Sequence, residues 1–489
     1  MRSRSDKELR DPQPRSIEGI IRVWQQGALV GVGSARGALL ADQMGLGKTA
    51  SAVIAAARAR LRRVLVVCPK SAIPDWRRAL DEWHPRAGVI RVLPAQPHLD
   101  FNVGWAIINY ELLERFAADL RQRQWNLLIL DEAQATKESS RRRTILIHGG
   151  VWNGKPYRPI PAEKALVISG TPLKNRIEEL FTTLNFLDPN TWPDRDAFID
   201  AHYEDATADG FPRIVTAEGR VIQNVAPTNL EVLHRRLKES ILVRTHKDDV
   251  AGLPPRRFEK ISVPLKNWED RDWFDNKALS ATKVSRLLRA MQRSQRPHDN
   301  AKMAELECRL REIRSAIYQH ATRAKRQAIL DYLLALPPEH KAVVIGFHRD
   351  LLLTQLANVL RQHGRRIVEH NGDNSARAAG TVSAFQERPE IQFFIGQLSV
   401  SNLSLTLTAA SHVVFAEIPT TRADFDQAMD RVHRFGQTRE CLGTLFALDW
   451  PSAGDDDLLE SLLRWKDIAD MVLDGRSGGS TWDWNKCAN

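Results

Sequence analysis

The chain has 489 residues, with 70 Lys and Arg against 60 Asp and Glu and a formal net charge of +10. That length exceeds what one hydrophobic core holds, and 43% hydrophobic residues exclude wholesale disorder, so two or more folded domains are expected. The basic balance suits an anionic partner, but it does not by itself separate a nucleic-acid binder from a basic soluble enzyme.

In chain order, the N-terminal Met1–Glu8 lacks an apolar signal core, and no later stretch is long and apolar enough to span a membrane. A cytoplasmic protein is expected. Cys68, Cys308, Cys441 and Cys487 stand far apart, which excludes zinc-ribbon and C-x-x-C spacings and reads as reduced thiols. Short β-type runs recur at Val64–Val67, Ala106–Ile108, Leu127–Leu130 and Leu166–Ile168, with helix-type segments such as Ala50–Arg60 between them. Continuous apolar strands alternating with helices predict a parallel sheet covered on both faces. Residues 207–228 read as a polar loop. From about Asn276 to Leu336 the pattern is helical and dense in Arg286, Arg289, Arg293, Arg296, Arg309, Arg311, Arg314, Arg323, Lys325 and Arg326. This reads as a solvated helical hairpin in which a few charges meet phosphate. Strand rhythm returns at Val343–Phe347, Ile367–Val368, Phe393–Ile395, Val413–Ala416 and Gly443–Ala447, giving a second α/β unit. An amphipathic helix follows over Leu458–Leu473.

The first chemistry-bearing segment is Gly37–Thr49, which runs from a strand through a loop into a helix. Glycines let the backbone turn tightly and aim N–H groups at phosphate oxygens, and the helix start adds its positive end. Met44, Gly45, Leu46 and Gly47 would cradle ATP, Lys48 would reach its β- and γ-phosphates, and Thr49 would ligate Mg²⁺. Asp42 stands where the general phosphate-loop pattern has glycine.

Next, Asp131 and Glu132 end the apolar run Leu127–Leu130. Asp131 would hold Mg²⁺ and Glu132 would polarise the attacking water. Near the other end, Arg431 and Arg434 are three apart, so on a helix they share a face, and two guanidiniums suit the charge of a γ-phosphate in flight. The second α/β unit has no phosphate loop of its own. ATP is therefore expected in the cleft between units, with hydrolysis dependent on closure.

These residues belong to a longer ordered set. After Asp42–Thr49 come Val66–Ser71 with Trp76, Ile108–Glu111, Asp131–Gln134 followed by Lys137, Ser169–Asn175, Glu179–Pro189, Leu242–Lys247 and Leu253–Pro255. The second unit adds His370–Gly372 with Arg377, and His433–Gln437. In this order the chain resembles the Swi/Snf-type DNA-dependent ATPases, a branch of the superfamily-two helicase-like proteins. Thr406–Glu417 is most similar to the annealing-helicase, fork-remodelling subgroup.

The resemblance implies an α/β fold of two RecA-like lobes with parallel sheets, helical protrusions and a C-terminal brace helix. The corresponding division is 1–175, first lobe; 176–255, first protrusion; 256–340, linker and basic second protrusion; 341–450, second lobe; and 451–489, brace and tail. It implies ATP and Mg²⁺ as cofactors, double-stranded or forked DNA as partner, and a monomeric motor that translocates without obligatory strand separation. Lys70, Ser71, Asn109, Ser169, Gly170, Thr171, Asn371 and Gly372 match family positions that touch the DNA backbone. Such groups suit phosphate contacts without sequence information.

Three departures accompany it. Gln134 replaces the family's His and is expected to bond across to Ser169–Thr171, keeping a catalytic coupling role. Ser404 stands in place of a Gly. Gln13 is the candidate adenine reader, although its register against Glu18–Ile20 is off. Nothing resembles a chromodomain, bromodomain, zinc finger or nuclease, which suggests a bare bacterial or phage motor. A strand-separating DNA or RNA helicase is one alternative, and the 276–336 insertion speaks against it. A catalytically silent nucleic-acid-binding subunit is another, and it has no chemical need of Lys48, Asp131, Glu132, Arg431 and Arg434 together.

Overall fold

A computed structural model describes residues 9, 13–29, 36–87, 90–92, 104–136, 138, 141–173, 176–203, 214–215, 221–222, 227–250, 252–294, 300–371, 378–398 and 405–476. Among these, one unit takes the residues up to Leu253 and from Trp465 onward, and the other runs from Pro254 to Arg464.

In the first unit the apolar runs become β1 (Gly37–Leu40), β2 (Val64–Cys68), β3 (Ile90–Val92), β4 (Trp105–Asn109) and β5 (Trp125–Asp131). A small antiparallel hairpin, β6 (Gly150–Trp152) and β7 (Lys155–Tyr157), precedes β8 (Ala162–Ile168). A second short pair, β9 (Ile214–Val215) and β10 (Val221–Ile222), lies within the segment read as loop, and β11 (Leu242–Val243) follows. Seven of these strands form one parallel sheet in the order β11-β1-β8-β5-β2-β4-β3.

The continuous apolar runs serve both faces of that sheet. In β5, Leu128 and Leu130 enter one core while Leu127 and Ile129 enter the other, as the two-residue strand period dictates. Helices α1 (Gln13–Leu29), α2 (Lys48–Arg58) and α3 (Ile73–Trp83) cover one face, through Ile17, Ile20, Trp24, Ala52, Val53, Trp76 and Leu80. The other face takes α4 (Leu113–Arg121), α5 (Arg142–His148), α6 (Phe181–Leu187), α7 (Arg195–His202) and α8 (Leu230–Ser240). Residues Ile468, Val472 and Leu473 of the C-terminal helix join this second core.

The second unit begins with β12 (Arg256–Pro264), whose polar side chains hid it from the strand rhythm. Helices α9 (Trp268–Ser294) and α10 (Asn300–Ala335) form the expected basic hairpin region, starting earlier than predicted. Then come β13 (Ala342–Gly346), α11 (Thr354–Gln362), β14 (Ile367–His370), α12 (Ala378–Glu387), β15 (Phe393–Gln397), β16 (His412–Phe415), α13 (Arg422–Met429), β17 (Cys441–Asp449) and α14 (Asp455–Asp474). Six strands form a second parallel sheet in the order β12-β17-β16-β13-β15-β14.

Polar contacts fix α10 on this sheet from one helical face. Tyr318 Oη donates to the Ile418 carbonyl at 2.9 Å and Thr322 Oγ1 to Glu417 Oε1 at 3.0 Å. Lys325 Nζ reaches Asp455 Oδ2 at 2.7 Å, and Tyr332 Oη donates to Glu259 Oε1 at 3.0 Å. Lys325 is therefore a buried ion-pair partner, 2% exposed, and not part of a solvated basic face. Asp455 can hold it because the same carboxylate also accepts from Leu448 N at 2.9 Å. Arg293 and Arg296 lie outside the residues whose side chains are described, as does Arg289.

Candidate active site

Because every strand of the first sheet runs the same way, all carboxyl ends share one edge, where open α/β sheets bind ligands. Along that edge stand, in spatial order, the Asp42–Thr49 loop after β1 and Ser169–Thr171 after β8. Asp131 and Glu132 at β5, Lys70 and Ser71 after β2, and Asn109 at the end of β4 continue the row.

The loop after β1 has the shape its glycines permit. Gly45 and Gly47 have φ of 84° and 81°, in the left-handed region, and Gly47 directly precedes α2. Met44 and Leu46 are buried and Thr49 is half-buried in the first turn of α2. Lys48 Nζ donates to the carbonyls of Asp42 at 2.9 Å and Gln43 at 3.2 Å, folding its ammonium into the loop. A Cβ on Gly47 would lie 2.5 Å from the Gln13 amide nitrogen, so Gln13, buried at the start of α1, rests against the loop.

Asp42 explains its own departure from the phosphate-loop pattern. It is fully buried and accepts from Ser16 Oγ of α1 at 2.5 Å, a tie that glycine could not make. Burial raises its pKa, opposed by the Ser16 hydrogen bond and by the Lys48 charge.

The acid pair is held from several sides. Trp76 Nε1 donates to Asp131 Oδ2 at 2.8 Å, Tyr110 Oη donates to the Asp131 carbonyl at 2.8 Å, and Glu132 N donates to Asp131 Oδ1 at 3.0 Å. Burial, then the adjacent Glu132 charge, raises the Asp131 pKa, against the Trp76 bond and Lys48. Glu132 adopts φ of 50°, rare for a side chain with a Cβ. Gln134 Nε2 donates to Glu132 Oε2 at 2.6 Å, and Ser169 Oγ donates to Gln134 Oε1 at 3.1 Å. Thr171 N in turn donates to Ser169 Oγ at 3.3 Å. The bridge expected from Gln134 to the Ser169–Thr171 segment is therefore present. That segment also packs on the phosphate loop: a Cβ on Gly170 would lie 2.3 Å from Met44 Cγ and 3.1 Å from Lys48 Nζ.

Lys70 and Ser71 form a short 3-10 turn, Lys70 exposed and Ser71 half-buried, and Asn109 Nδ2 donates to Glu111 Oε2 at 2.7 Å. Lys137, Lys174 and Asn175 lie outside the described residues, as do Gly372, Arg377 and Ser404.

In the second unit, Asn371 follows β14 directly and is half-buried. Helix α13 ends at Met429, so Arg431 and Arg434 do not share a helical face. They lie in the tight turns that follow, where Val432 N bonds back to Met429 O, Arg434 N to Val432 O and Gln437 N to Arg434 O. The turn has its own reasons. Gly436 takes φ of 98°, Gln437 Nε2 donates to the Ala410 carbonyl at 2.7 Å, and His433 Nε2 donates to the Pro254 carbonyl at 2.8 Å. Arg431 is buried, whereas Arg434 Nη1 donates to Thr406 Oγ1 at 2.8 Å and the Leu405 carbonyl at 3.1 Å.

Sequence reasoning did not assign roles to Trp76 or Tyr110. Both sit in motif segments, but an aromatic beside an apolar strand gives no sign of where its N–H or O–H points. Arg244, in the Leu242–Lys247 segment, was likewise without a role.

Comparisons with known proteins bear on the family. The SNF2-related domain family matches residues 13–319, and the helicase conserved C-terminal domain matches 324–436. The chain is 26% identical over 436 residues to a bovine protein named "DNA annealing helicase and endonuclease ZRANB3", covering 84% of this chain and 37% of the relative. It is 26% identical over 407 residues to a Xenopus tropicalis "SWI/SNF-related matrix-associated actin-dependent regulator of chromatin subfamily A-like protein 1", covering 82% and 39%. Among solved structures, the "Sulfolobus solfataricus SWI2/SNF2 ATPase core in complex with dsDNA" aligns over 97% of this chain and 94% of that one, at 18% identity and a TM-score of 0.42. The chain spans about two-fifths of the length of the curated relatives it matches. With more than half of its residues matched by the model of one family, the chain is a member of the SNF2-related family.

Proposed function

We propose that this chain is a DNA-stimulated ATPase that translocates on double-stranded or forked DNA without obligatory strand separation. The observation that carries the reading is the hydrogen-bonded chain Glu132–Gln134–Ser169–Thr171. It joins the acid pair, suited to activating water, to a segment whose hydroxyls and N–H groups suit a phosphodiester backbone.

In this reading Met44–Thr49 bind the phosphates of ATP, Lys48 neutralises them, and Gln13 contacts the adenine. The residues fit a divalent cation as well: Asp131 is a buried carboxylate beside a second one, a pair whose mutual repulsion Mg²⁺ relieves. Thr49 and Asp131 hold that ion, which supplies charge neutralisation for phosphoryl transfer. Glu132 orients the attacking water, Gln134 couples it to the nucleic-acid edge, and Arg431 and Arg434 supply positive charge for hydrolysis. Lys70, Ser71, Asn109, Ser169, Gly170, Thr171, Asn371 and Gly372 contact the DNA backbone. We read the motor as a monomer, divided at 175, 255, 340 and 450. No described helix is long and apolar enough to cross a membrane.

The test is ATP turnover with and without duplex DNA, together with displacement of a third strand from a triplex. Duplex stimulation and triplex displacement, both lost in Lys48→Ala, are expected. Turnover indifferent to any nucleic acid overturns the proposal, and unwinding of a forked duplex in step with ATP turnover replaces it with a strand-separating helicase.

A further inference from the structure

The C-terminal end of α14 belongs to the first unit and is fastened within it by several polar contacts. His234 Nδ1 donates to the Val472 carbonyl at 3.0 Å, and Gly475 takes φ of 64° where a Cβ would lie 2.6 Å from His234 Nε2. Asp474 accepts two hydrogen bonds of 3.0 Å from the Arg244 fork, and Arg476 gives two of 2.8 and 2.9 Å to Asp249. Asp474 and Arg244 are nearly enclosed, with side chains 5% and 9% exposed. Asp474, His246 and Asp470 offer ligand atoms within 4.8 Å of one another, a grouping that could hold a metal ion. Arg244 and Arg476 already bring positive charge to that place, Arg476 Nη1 lying 3.3 Å from His246 Nδ1. Asp474 is committed to the Arg244 guanidinium and Asp470 to the Lys466 ammonium at 2.6 Å.

The receiving segment has a second face. Ala41 N bonds to the Val243 carbonyl at 2.8 Å, Gln43 N to the Thr245 carbonyl at 3.2 Å, and Lys247 N to Gln43 Oε1 at 2.9 Å. Arg244 itself, besides gripping Asp474, donates through Nη1 to the Ala41 carbonyl. Ala41 leads directly into Asp42 and Gln43, whose carbonyls receive the Lys48 ammonium. One guanidinium thus touches both the end of α14 and the root of the phosphate loop.

We propose that Arg244 is a positioning residue for the nucleotide site, holding the phosphate loop in its binding shape only while Asp474 keeps α14 docked. A planar fork can hold both oxygens of a carboxylate through Nε and Nη2 and still reach a carbonyl through Nη1, a spread that the single nitrogen of a lysine cannot span. Docking of the C-terminal helix and binding of nucleotide are then linked, and each strengthens the other by the same factor. The inference rests on the reading of Met44–Thr49 as an ATP site.

The test compares the full chain with Asp474→Asn, Arg244→Lys and the exchanged pair Arg244→Asp with Asp474→Arg. The readouts are equilibrium ATP binding, KM and kcat for ATP, and the unfolding temperature. Both single variants are expected to bind ATP about five-fold or more weakly, raising KM more than they lower kcat. The exchanged pair restores the ion pair and so recovers unfolding temperature, but not ATP affinity, because aspartate at 244 cannot donate to Ala41. ATP affinity unchanged in both single variants, or fully recovered in the exchanged pair, overturns the inference and leaves Arg244 as a docking contact. A wild-type chain that binds no ATP overturns the ATP site and this inference together.

Discussion

Trp76 donates its indole N–H to Asp131 at 2.8 Å, so one oxygen of the proposed Mg²⁺ ligand is already engaged by a fully buried aromatic. The position follows from α3, which places Pro74 and Asp75 in its first turn and turns Trp76, Ala79 and Leu80 inward. Trp76→Phe keeps most of the volume and removes the donor. Its ATP turnover is expected to need about 10-fold to 100-fold more Mg²⁺, as for other residues that orient a metal ligand. A Mg²⁺ titration identical to wild type would show that Trp76 only packs.

Gln134 links the acid pair to Ser169, so its loss separates two events. Gln134→Ala is expected to keep basal ATP turnover within a few-fold while losing most of the stimulation by duplex DNA. Ser169→Ala should behave alike, and the double variant should be no worse than either alone, because both act through one hydrogen-bonded chain. Additive losses in a double-mutant cycle contradict the link.

Lys325 and Asp455 form a buried pair in the second unit. Lys325→Met leaves a carboxylate without its cation and is expected to cost about 3 to 5 kcal/mol of unfolding free energy. Replacing both partners, Lys325→Met with Asp455→Asn, should recover much of that loss, since no lone buried charge remains. Denaturant unfolding of the three proteins decides it; equal destabilisation of single and double variants would place the cost in packing.

His412 gives the second unit an acid sensitivity. Its Nδ1 lies 3.0 Å from His340 Nε2 and its Nε2 lies 2.8 Å from Thr444 Oγ1. Burial first, then the His340 charge, brings its pKa down to about 3. The unfolded chain takes up this proton near pH 6.5 while the folded one does not. Stability is therefore fully present above about pH 6.5 and falls toward pH 3, by up to about 1.4 kcal/mol per pH unit from this residue. Unfolding midpoints of wild type and His412→Asn at pH 7 and pH 5 should show the smaller drop in the variant.

Much of this fold was legible because buried parallel strands have few ways to be written. Val64–Cys68 and Leu127–Asp131 are apolar on both faces and bounded by polar residues, so they read as covered strands and are. Arg256–Pro264 was not legible, because an edge strand can carry Arg257, Glu259 and Lys260 without harm. The loop glycines and the acid pair announced themselves by type and spacing. Residues that act through orientation did not: nothing in Trp76, Tyr110 or Arg244 says which carboxylate or carbonyl it will meet. The helical spacing of Arg431 and Arg434 misled, since Gln437 and Gly436 close the chain into turns just past Met429.

From Ala301 to His320 no side chain of α10 is buried, whereas Ala321, Thr322, Lys325, Ile329, Leu330 and Leu333 all are. A continuous helix held at one end is a beam clamped at its root. The 20 residues from Ala301 to His320, half of them exposed and the rest half-buried, measure about 30 Å, so a tilt of roughly 5° at the Tyr318–Tyr332 anchorage swings the tip by about 3 Å. Small changes at Glu417 or Asp455 would thus be geared up along the shaft.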